Sequence, residues 1–203
     1  MMITGSIAGA ALLVFNKDTK DEKLKDLFGK MRNKNNPIAF IETSKGTIKI
    51  ELYQDLTPNT VKNFVKLAND GFYDGVVFHR IANINSGKPN THIIQGGGFT
   101  PDGQGKESPY GTIDLEINEK VSHVDGAISM ARRSSYEDSA SSQFFICDGN
   151  HSFFDGNYAV FGKTIEGMEV VRSIALVETT TKYGKSDWPK EDVIIKSITI
   201  KNQ

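Results

Sequence analysis

The sequence predicts a mainly β fold, a closed eight-stranded antiparallel β-barrel capped by two α-helices. About eight short β-type runs are separated by turn residues, and most of them are polar at alternate positions. The two helical patterns lie far apart in the chain, with several strands between them. A closed barrel is favoured because it buries one face of every strand and leaves no strand edge exposed. Side chains fill a barrel of this size, so we expect a ligand site on its outer face.

The elements follow from local patterns in chain order. Alternating apolar and polar residues predict strands, and the first helix has Thr57 as N-cap, Pro58 at its first position and Gly71 after its end. A second short helix is predicted over 166–175. The predicted strands are 38–43, 47–53, 76–81, 93–96, 127–131, 143–147, 160–165 and 193–201.

Residues 1–36 are predicted to form an extension ahead of a domain that spans 37–203. Leu24, Leu27, Phe28 and Met31 are spaced i, i+3, i+4, i+7 between charges, which indicates an amphipathic helix. We expect this helical extension to pack on the domain or on a second copy of the chain. The alternative is contact with a membrane or a partner through residues 1–31.

The first 15 residues carry no charge, and 7–15 is a continuous run of apolar or small residues. A signal peptide would show a basic leader and a small-residue cleavage site, and both are missing. A membrane-spanning helix needs about 20 apolar residues, more than this run provides. We therefore expect a cytoplasmic protein, with membrane association or export through this segment as the alternative.

Composition excludes several classes of function. The chain has 24 Lys and Arg against 25 Asp and Glu, and a net charge of −1 argues against nucleic acid as a partner. The single cysteine, Cys147, lies in an apolar run and is expected to be a buried, inert thiol. The four histidines lack close metal-ligand spacing, so neither a metal nor a cofactor is predicted.

Three motifs carry the strongest functional signal. Phe78-His79-Arg80 lies on one predicted strand, Ile94-Gln95-Gly96 on the next, and Gln143-Phe144-Phe145 on a later one. Together they resemble the cyclophilin family of peptidyl-prolyl cis/trans isomerases, and the resemblance extends over about 37–203. It implies the barrel fold and a cofactor-free enzyme that accelerates rotation about X-Pro bonds in proline-containing polypeptides, assisting protein folding.

The resemblance also implies the site residues. Arg80 is expected to hydrogen-bond the prolyl substrate, and Gln95 to orient Arg80 or hold the peptide backbone, which makes these two the catalytic pair. Phe145 would form the floor of the proline pocket, and Ala131 and Arg132 would pair with the substrate through main-chain atoms. The other predicted substrate-binding residues are His92, Ile93, Gln143, Phe153, Phe154 and Tyr158. His92-Ile93 stands where the family usually has Phe-Met.

The chemistry gives these residue types a reason. Resonance opposes peptide C–N rotation with a barrier of about 18–20 kcal/mol, and no bond must break, so neither nucleophile nor metal is required. A guanidinium that hydrogen-bonds the proline nitrogen as its lone pair localises favours the twisted transition state over the planar ground states. Strict strand alternation predicts Phe78 and Arg80 on one face, with His79 and Ile81 on the other.

Two functions of different classes remain. The first is the isomerase, and the second is a non-catalytic module of the same fold that binds proline peptides and is targeted by its extension. Arg80, Gln95 and Phe145 together favour the enzyme. A phosphate loop at 95–99 is disfavoured because it lacks Gly-Lys-Ser/Thr, and a serine hydrolase because no Gly-x-Ser-x-Gly occurs.

Overall fold

The computed structural model describes residues 33, 35–84 and 90–202. Of these residues, 36–84 and 90–202 belong to one compact unit. The predicted N-terminal helical extension lies outside the described residues, apart from 33, 35 and 36. In the described ranges, no helix is long and apolar enough to cross a membrane.

Ten strands and two α-helices are described. The helices are α1 (Pro58–Asn69) and α2 (Met168–Ala175). The strands are β1 (Ile38–Thr43), β2 (Gly46–Leu52), β3 (Phe78–Asn83), β4 (His92–Gly96), β5 (Ala127–Met130), β6 (Phe144–Asp148), β7 (Val160–Glu166), β8 (Thr179–Lys182), β9 (Lys185–Pro189) and β10 (Ile195–Lys201). Every predicted strand is present, and β1 has the predicted bounds.

Eight of these strands form one antiparallel sheet, in the order β10-β1-β2-β7-β5-β6-β4-β3. The sheet curls into a half-barrel, so the predicted closed barrel was wrong. Its edge strands β3 and β10 share no ladder and meet only at their first residues, through a bridge between Val77 and Ile194 and hydrogen bonds from Phe78 N–H to the Val193 carbonyl and from Ile195 N–H to the Val76 carbonyl. Strand β3 instead packs against β9 of the separate hairpin β8–β9, which was not predicted from the sequence.

The concave side of the sheet holds the main core. Phe64 of α1 packs against Tyr73, Phe144 and Phe161 at ring-centroid distances of 5.3, 5.6 and 5.1 Å, and all four rings are fully buried. Helix α1 buries the face that carries Val61, Phe64, Leu67 and Ala68. The apolar spacing of this helix therefore fixes which side of it faces the sheet.

The start of α1 is capped differently from the prediction. Thr57 occupies the N-cap position, as predicted, but its hydroxyl donates to the Tyr53 carbonyl and makes no capping hydrogen bond. The carboxylate of Glu116 instead accepts hydrogen bonds from the backbone N–H groups of Asn59 (3.2 Å) and Thr60 (2.9 Å). A carboxylate at this end satisfies unpaired N–H groups and complements the helix dipole.

The convex side of the sheet carries a second, smaller apolar cluster. Its buried members are Ala82, Ile93, Ala127, Phe145, Cys147 and Val160. Cys147 is fully buried here, and burial raises the pKa of its thiol far above the ordinary range, as expected for an inert cysteine. Phe154 and Tyr158 pack partly buried against this cluster, so an apolar patch reaches the surface on the outer face of the sheet.

Candidate active site

A β-bulge in β3 positions Arg80. Phe78 pairs with Gly96 and Arg80 with Gln95, so His79 is an extra residue in this ladder. As a result, Phe78 and Ile81 both belong to the inner core, whereas Ala82 belongs to the outer cluster. The prediction that Phe78 and Arg80 share a face was wrong, because the bulge reverses the alternation between them. Arg80 lies on the outer face opposite Gln95.

Three polar side chains form a chain beside the outer cluster. Nη1 of Arg80 donates to Oε1 of Gln95 at 3.4 Å, and Nε2 of Gln95 donates to Oε1 of Gln143 at 3.0 Å. The strand ladder places Gln95 directly opposite Phe145 as well. The guanidinium is therefore held at the border of an apolar surface, with its side chain 41% exposed.

Phe145 is the centre of the aromatic group on this face. Its ring is 3% exposed and lies 5.6 Å from Phe154 and 5.7 Å from Tyr158, both in edge-on geometry. Phe154 and Tyr158 also touch each other, at 5.2 Å. Ile93, buried in the same cluster, completes the apolar floor next to Gln95. Edge-to-face packing fixes these rings and leaves an apolar surface beside Arg80.

A buried polar group supports the floor from behind, and it was not predicted from the sequence. The imidazole of His123 is fully buried and stacks on Phe145 at 5.8 Å. In the neutral tautomer that fits its contacts, Nδ1–H donates to Asp155 (2.6 Å) and Nε2 accepts from the Ser129 hydroxyl (3.0 Å). Burial lowers the pKa of His123, and the hydrogen bond with Asp155 offsets this only in part.

The loop after β5 forms another border of the surface. The backbone N–H of Ala131 donates to the Gln143 carbonyl at 2.9 Å. The guanidinium of Arg132 lies 5.1 Å from the Tyr158 ring centroid, and its Nε donates to the Asn157 carbonyl at 2.6 Å. These contacts fix the loop beside Tyr158.

Comparison with known proteins decides the family. The model described as "Cyclophilin type peptidyl-prolyl cis-trans isomerase/CLD" matches residues 38–200. The chain belongs to the cyclophilin-type peptidyl-prolyl cis-trans isomerases. Among similar proteins, a peptidyl-prolyl cis-trans isomerase of Acinetobacter baylyi is 39% identical over 172 residues, covering 82% of this chain and 87% of the relative. Peptidyl-prolyl cis-trans isomerase B of Escherichia coli is 37% identical over 166 residues, covering 78% and 96%.

The fold agrees with this membership. A cyclophilin type isomerase of Cryptosporidium parvum, solved in the presence of the dipeptide Ala-Pro, matches with a TM-score of 0.66 at 30% identity. The match covers 82% of this chain and 99% of that one. These findings confirm the predicted family and the prediction of an isomerase enzyme, and they favour it over a non-catalytic binding module.

Two predicted substrate-binding residues of this cyclophilin lie apart from the cluster. His92 is two residues from Ile94 of the inner core, so its side chain points away from the face of Ile93 and Gln95. Its Nδ1 lies 3.7 Å from the carboxylate of Asp148 instead. The structure thus contradicts a place for the His92 side chain in the pocket.

Phe153 lies at the outer edge of the aromatic group. Its side chain is 59% exposed and contacts Phe154 at 4.3 Å and His151 at 5.8 Å. No ring contact joins it to Phe145 or Tyr158 among the described residues. It therefore lies at the exposed rim of the aromatic group rather than among its buried rings.

Two further groups near Arg80 were not predicted from the sequence. Oδ2 of Asp187, on β9, lies 3.7 Å from Nε of Arg80. The bulge residue His79 is buried against Phe99 (4.6 Å) and Trp188 (6.1 Å). Burial lowers the pKa of His79 to about 4, and the charges of Arg80 and Lys185 act in the same direction.

Within residues 33, 35–84 and 90–202, no group of three or more His, Cys, Asp or Glu is arranged to hold a metal ion. Trp188 is fully buried, and its Nε1 donates to Asp192 at 2.9 Å.

Proposed function

We propose that the outer face around Arg80 is the place where this cyclophilin binds and isomerises X-Pro peptide bonds. The observation that carries the proposal is the Arg80 guanidinium, fixed by Gln95 at 3.4 Å beside the buried ring of Phe145. A permanent cation and an apolar floor on adjoining strands match the two parts of a prolyl imide, its polar nitrogen and its hydrocarbon ring.

The proline ring would lie on the apolar floor formed by Ile93, Phe145 and Tyr158. Burying the ring supplies binding energy that holds it still while the preceding carbonyl rotates. The Cryptosporidium parvum relative was solved in the presence of Ala-Pro, which supports a proline-containing peptide as the substrate class. Phe154 backs the floor through its contacts with Phe145 and Tyr158.

Arg80 would act in the transition state. As the C–N bond twists, conjugation is lost and the proline nitrogen becomes pyramidal, with a localised lone pair. A guanidinium N–H donated to this nitrogen is stronger in the twisted state than in either planar state, and this difference lowers the barrier. The guanidinium is charged at any ordinary pH, so no proton transfer is needed.

The amides would orient the reacting parts. Gln95 fixes Arg80, and Gln143 fixes Gln95 through the 3.0 Å hydrogen bond between the two amides. The Ala131 carbonyl and the main chain of Arg132 would pair with the peptide backbone beside the proline. His92 has no part in this proposal, because its side chain points to the other face of β4.

Exchange NMR on a Xaa-Pro peptide tests the proposal. Arg80→Ala should lower kcat/KM by roughly 10²–10³-fold, since it removes a donor that stabilises the transition state. The matched control is Arg133→Ala, which removes an exposed arginine of the neighbouring loop and should change kcat/KM less than twofold. Turnover that persists in Arg80→Ala would overturn the assignment, and peptide binding without faster exchange in the wild type would favour the binding module.

A further inference from the structure

We propose that Asp187 is a positioning residue for Arg80, so the hairpin β8–β9 is a working part of the site. This inference rests on the proposed role of Arg80 and adds a residue to it. Nε of Arg80 and Oδ2 of Asp187 are 3.7 Å apart, with side chains 41% and 40% exposed. Gln95 holds the same guanidinium through Nη1 at 3.4 Å.

Two irregular backbone segments create this contact. The β3 bulge at His79 turns Arg80 onto the outer face. In the hairpin, Thr180 pairs with Trp188 and Lys182 with Lys185, so Ser186 and Asp187 together oppose one residue, Thr181. Strands β3 and β9 pack side by side, so the two bulges aim a cation and a carboxylate at each other.

The backbone at Asp187 is held in an unfavourable conformation. Its φ is +59°, in the left-handed region that suits glycine and that aspartate tolerates better than most residues. Such a conformation is unfavourable and persists only where its surroundings impose it. Asp187, whose carboxylate reaches the guanidinium, is one of two non-glycine residues of the hairpin with a positive φ, and the other is Tyr183 at the turn (φ +54°).

The hairpin is anchored well enough to impose this geometry. Trp188, next in sequence to Asp187, is fully buried, and its ring contacts His79 and Phe99 at 6.1 and 6.0 Å. The Trp188 Nε1 and the Lys182 Nζ both donate to Asp192, at 2.9 and 3.0 Å. Tyr183 at the hairpin turn donates its hydroxyl to the Pro101 carbonyl at 3.0 Å.

The pair would matter most when substrate is bound. An exposed ion pair contributes little to stability because water screens it. A bound peptide excludes water from one side of Arg80 and so strengthens the attraction to Asp187. With Nε directed to Asp187 and Nη1 to Gln95, the plane of the guanidinium is fixed and Nη2 is left to donate to the substrate. The carboxylate also offsets the cost of placing a cation against an apolar ring.

Two substitutions distinguish the effect of the Asp187 charge from the effect of its backbone conformation. Asp187→Asn keeps the size and tolerates the left-handed conformation, and Asp187→Gly relieves that conformation outright. We expect both to lower kcat about three- to tenfold with KM changed less than twofold, because the loss falls on the transition state. The melting temperature of Asp187→Gly should equal or exceed that of the wild type. The control Glu191→Gln removes an exposed acid of the same region and should leave kcat within twofold.

A second measurement reports the pairing without turnover. In the free wild-type protein, the Nε–Hε signal of Arg80 in ¹⁵N NMR should shift on Asp187→Asn and exchange faster with water. An unchanged signal, or kcat within twofold of wild type in both Asp187 variants, would overturn the proposal. In the Arg80→Ala protein, Asp187→Asn should change the residual kcat less than twofold. A loss as large as the one that Asp187→Asn causes in the wild-type protein would also overturn the proposal. Turnover retained by Arg80→Ala itself would instead contradict the proposed function.

Discussion

Phe144 and Phe145 are adjacent in β6, yet they belong to different halves of the molecule. Phe144 points into the concave core and contacts Phe64, Tyr73 and Phe78 at 5.6, 5.6 and 6.1 Å. Phe145 points to the convex face and forms the floor beside Gln95 and Arg80. Both rings follow the regular alternation of β6, whereas the position of Arg80 beside Phe145 depends on the bulge at His79 in β3. Stability and activity should therefore separate along a single strand.

The largest effect on stability is expected from a substitution in the aromatic core on the concave side of the sheet. Phe144→Ala removes a fully buried ring that packs against three other aromatic rings, and it should lower the free energy of unfolding by roughly 3–5 kcal/mol. Urea denaturation monitored by circular dichroism measures this loss. A loss below about 1 kcal/mol would mean that the core collapses to fill the cavity. It would contradict the claim that stability depends mainly on the concave side of the sheet.

The buried imidazole of His79, next to Arg80 in β3, should make the stability of the fold depend on pH. Its pKa is about 4 in the fold, mainly because it is buried, against roughly 6.5 in the unfolded chain. The unfolded state therefore binds more protons between these values, and stability falls as the pH drops from about 6.5 to about 4. The full linkage corresponds to about 3 kcal/mol.

The variant His79→Gln should flatten this pH dependence. Urea unfolding of both proteins at pH 7.5, 6.0 and 4.5 gives the comparison, with other titrating groups common to both. The difference in unfolding free energy between variant and wild type should move in favour of the variant as the pH falls. A difference that stays constant across the three pH values would show that His79 does not titrate as its burial implies.

Changing Phe145, the centre of the apolar floor, should have a smaller effect on stability and a clear effect on activity. Phe145→Leu keeps an apolar side chain but loses the ring that contacts Phe154 and Tyr158. We expect kcat/KM to fall about tenfold, while stability falls by less than in Phe144→Ala, because such aromatic contacts contribute about 0.5–1.5 kcal/mol each beyond buried area. Exchange NMR and urea unfolding on the same sample measure both. A stability loss equal to that of Phe144→Ala would remove the distinction between the faces.

Features that depend on local sequence patterns could be predicted from the sequence. Alternation and turn residues predicted all eight strands of the main sheet, and Pro58 located the start of α1, because these signals are local. The motifs around Arg80, Gln95 and Phe145 predicted a site by resemblance, and the fold brings these three residues together.

What could not be predicted depends on partners distant in sequence. The bulge at His79 exists only relative to the register of β4, so alternation placed Phe78 and Arg80 on one face. The cap of α1 comes from Glu116, 56 residues after Thr60. The residues of β8 are nearly all exposed and show no apolar alternation, so neither this hairpin nor Asp187 gave a local signal.

The smallest effect is expected at His92, and it tests which face of β4 the substrate meets. His92 and Ile93 are adjacent, but His92 faces Asp148 at 3.7 Å, whereas Ile93 lies in the outer cluster. His92→Gln should therefore change kcat/KM less than twofold at 10 °C, whereas Ile93→Ala should lower it several-fold by removing part of the apolar floor. Both variants would be assayed on the same Xaa-Pro peptide. If both variants lost the same factor in kcat/KM, His92 would have to contact the substrate. A side chain on the opposite face of the strand has no direct contact with the substrate and should not cause such a loss.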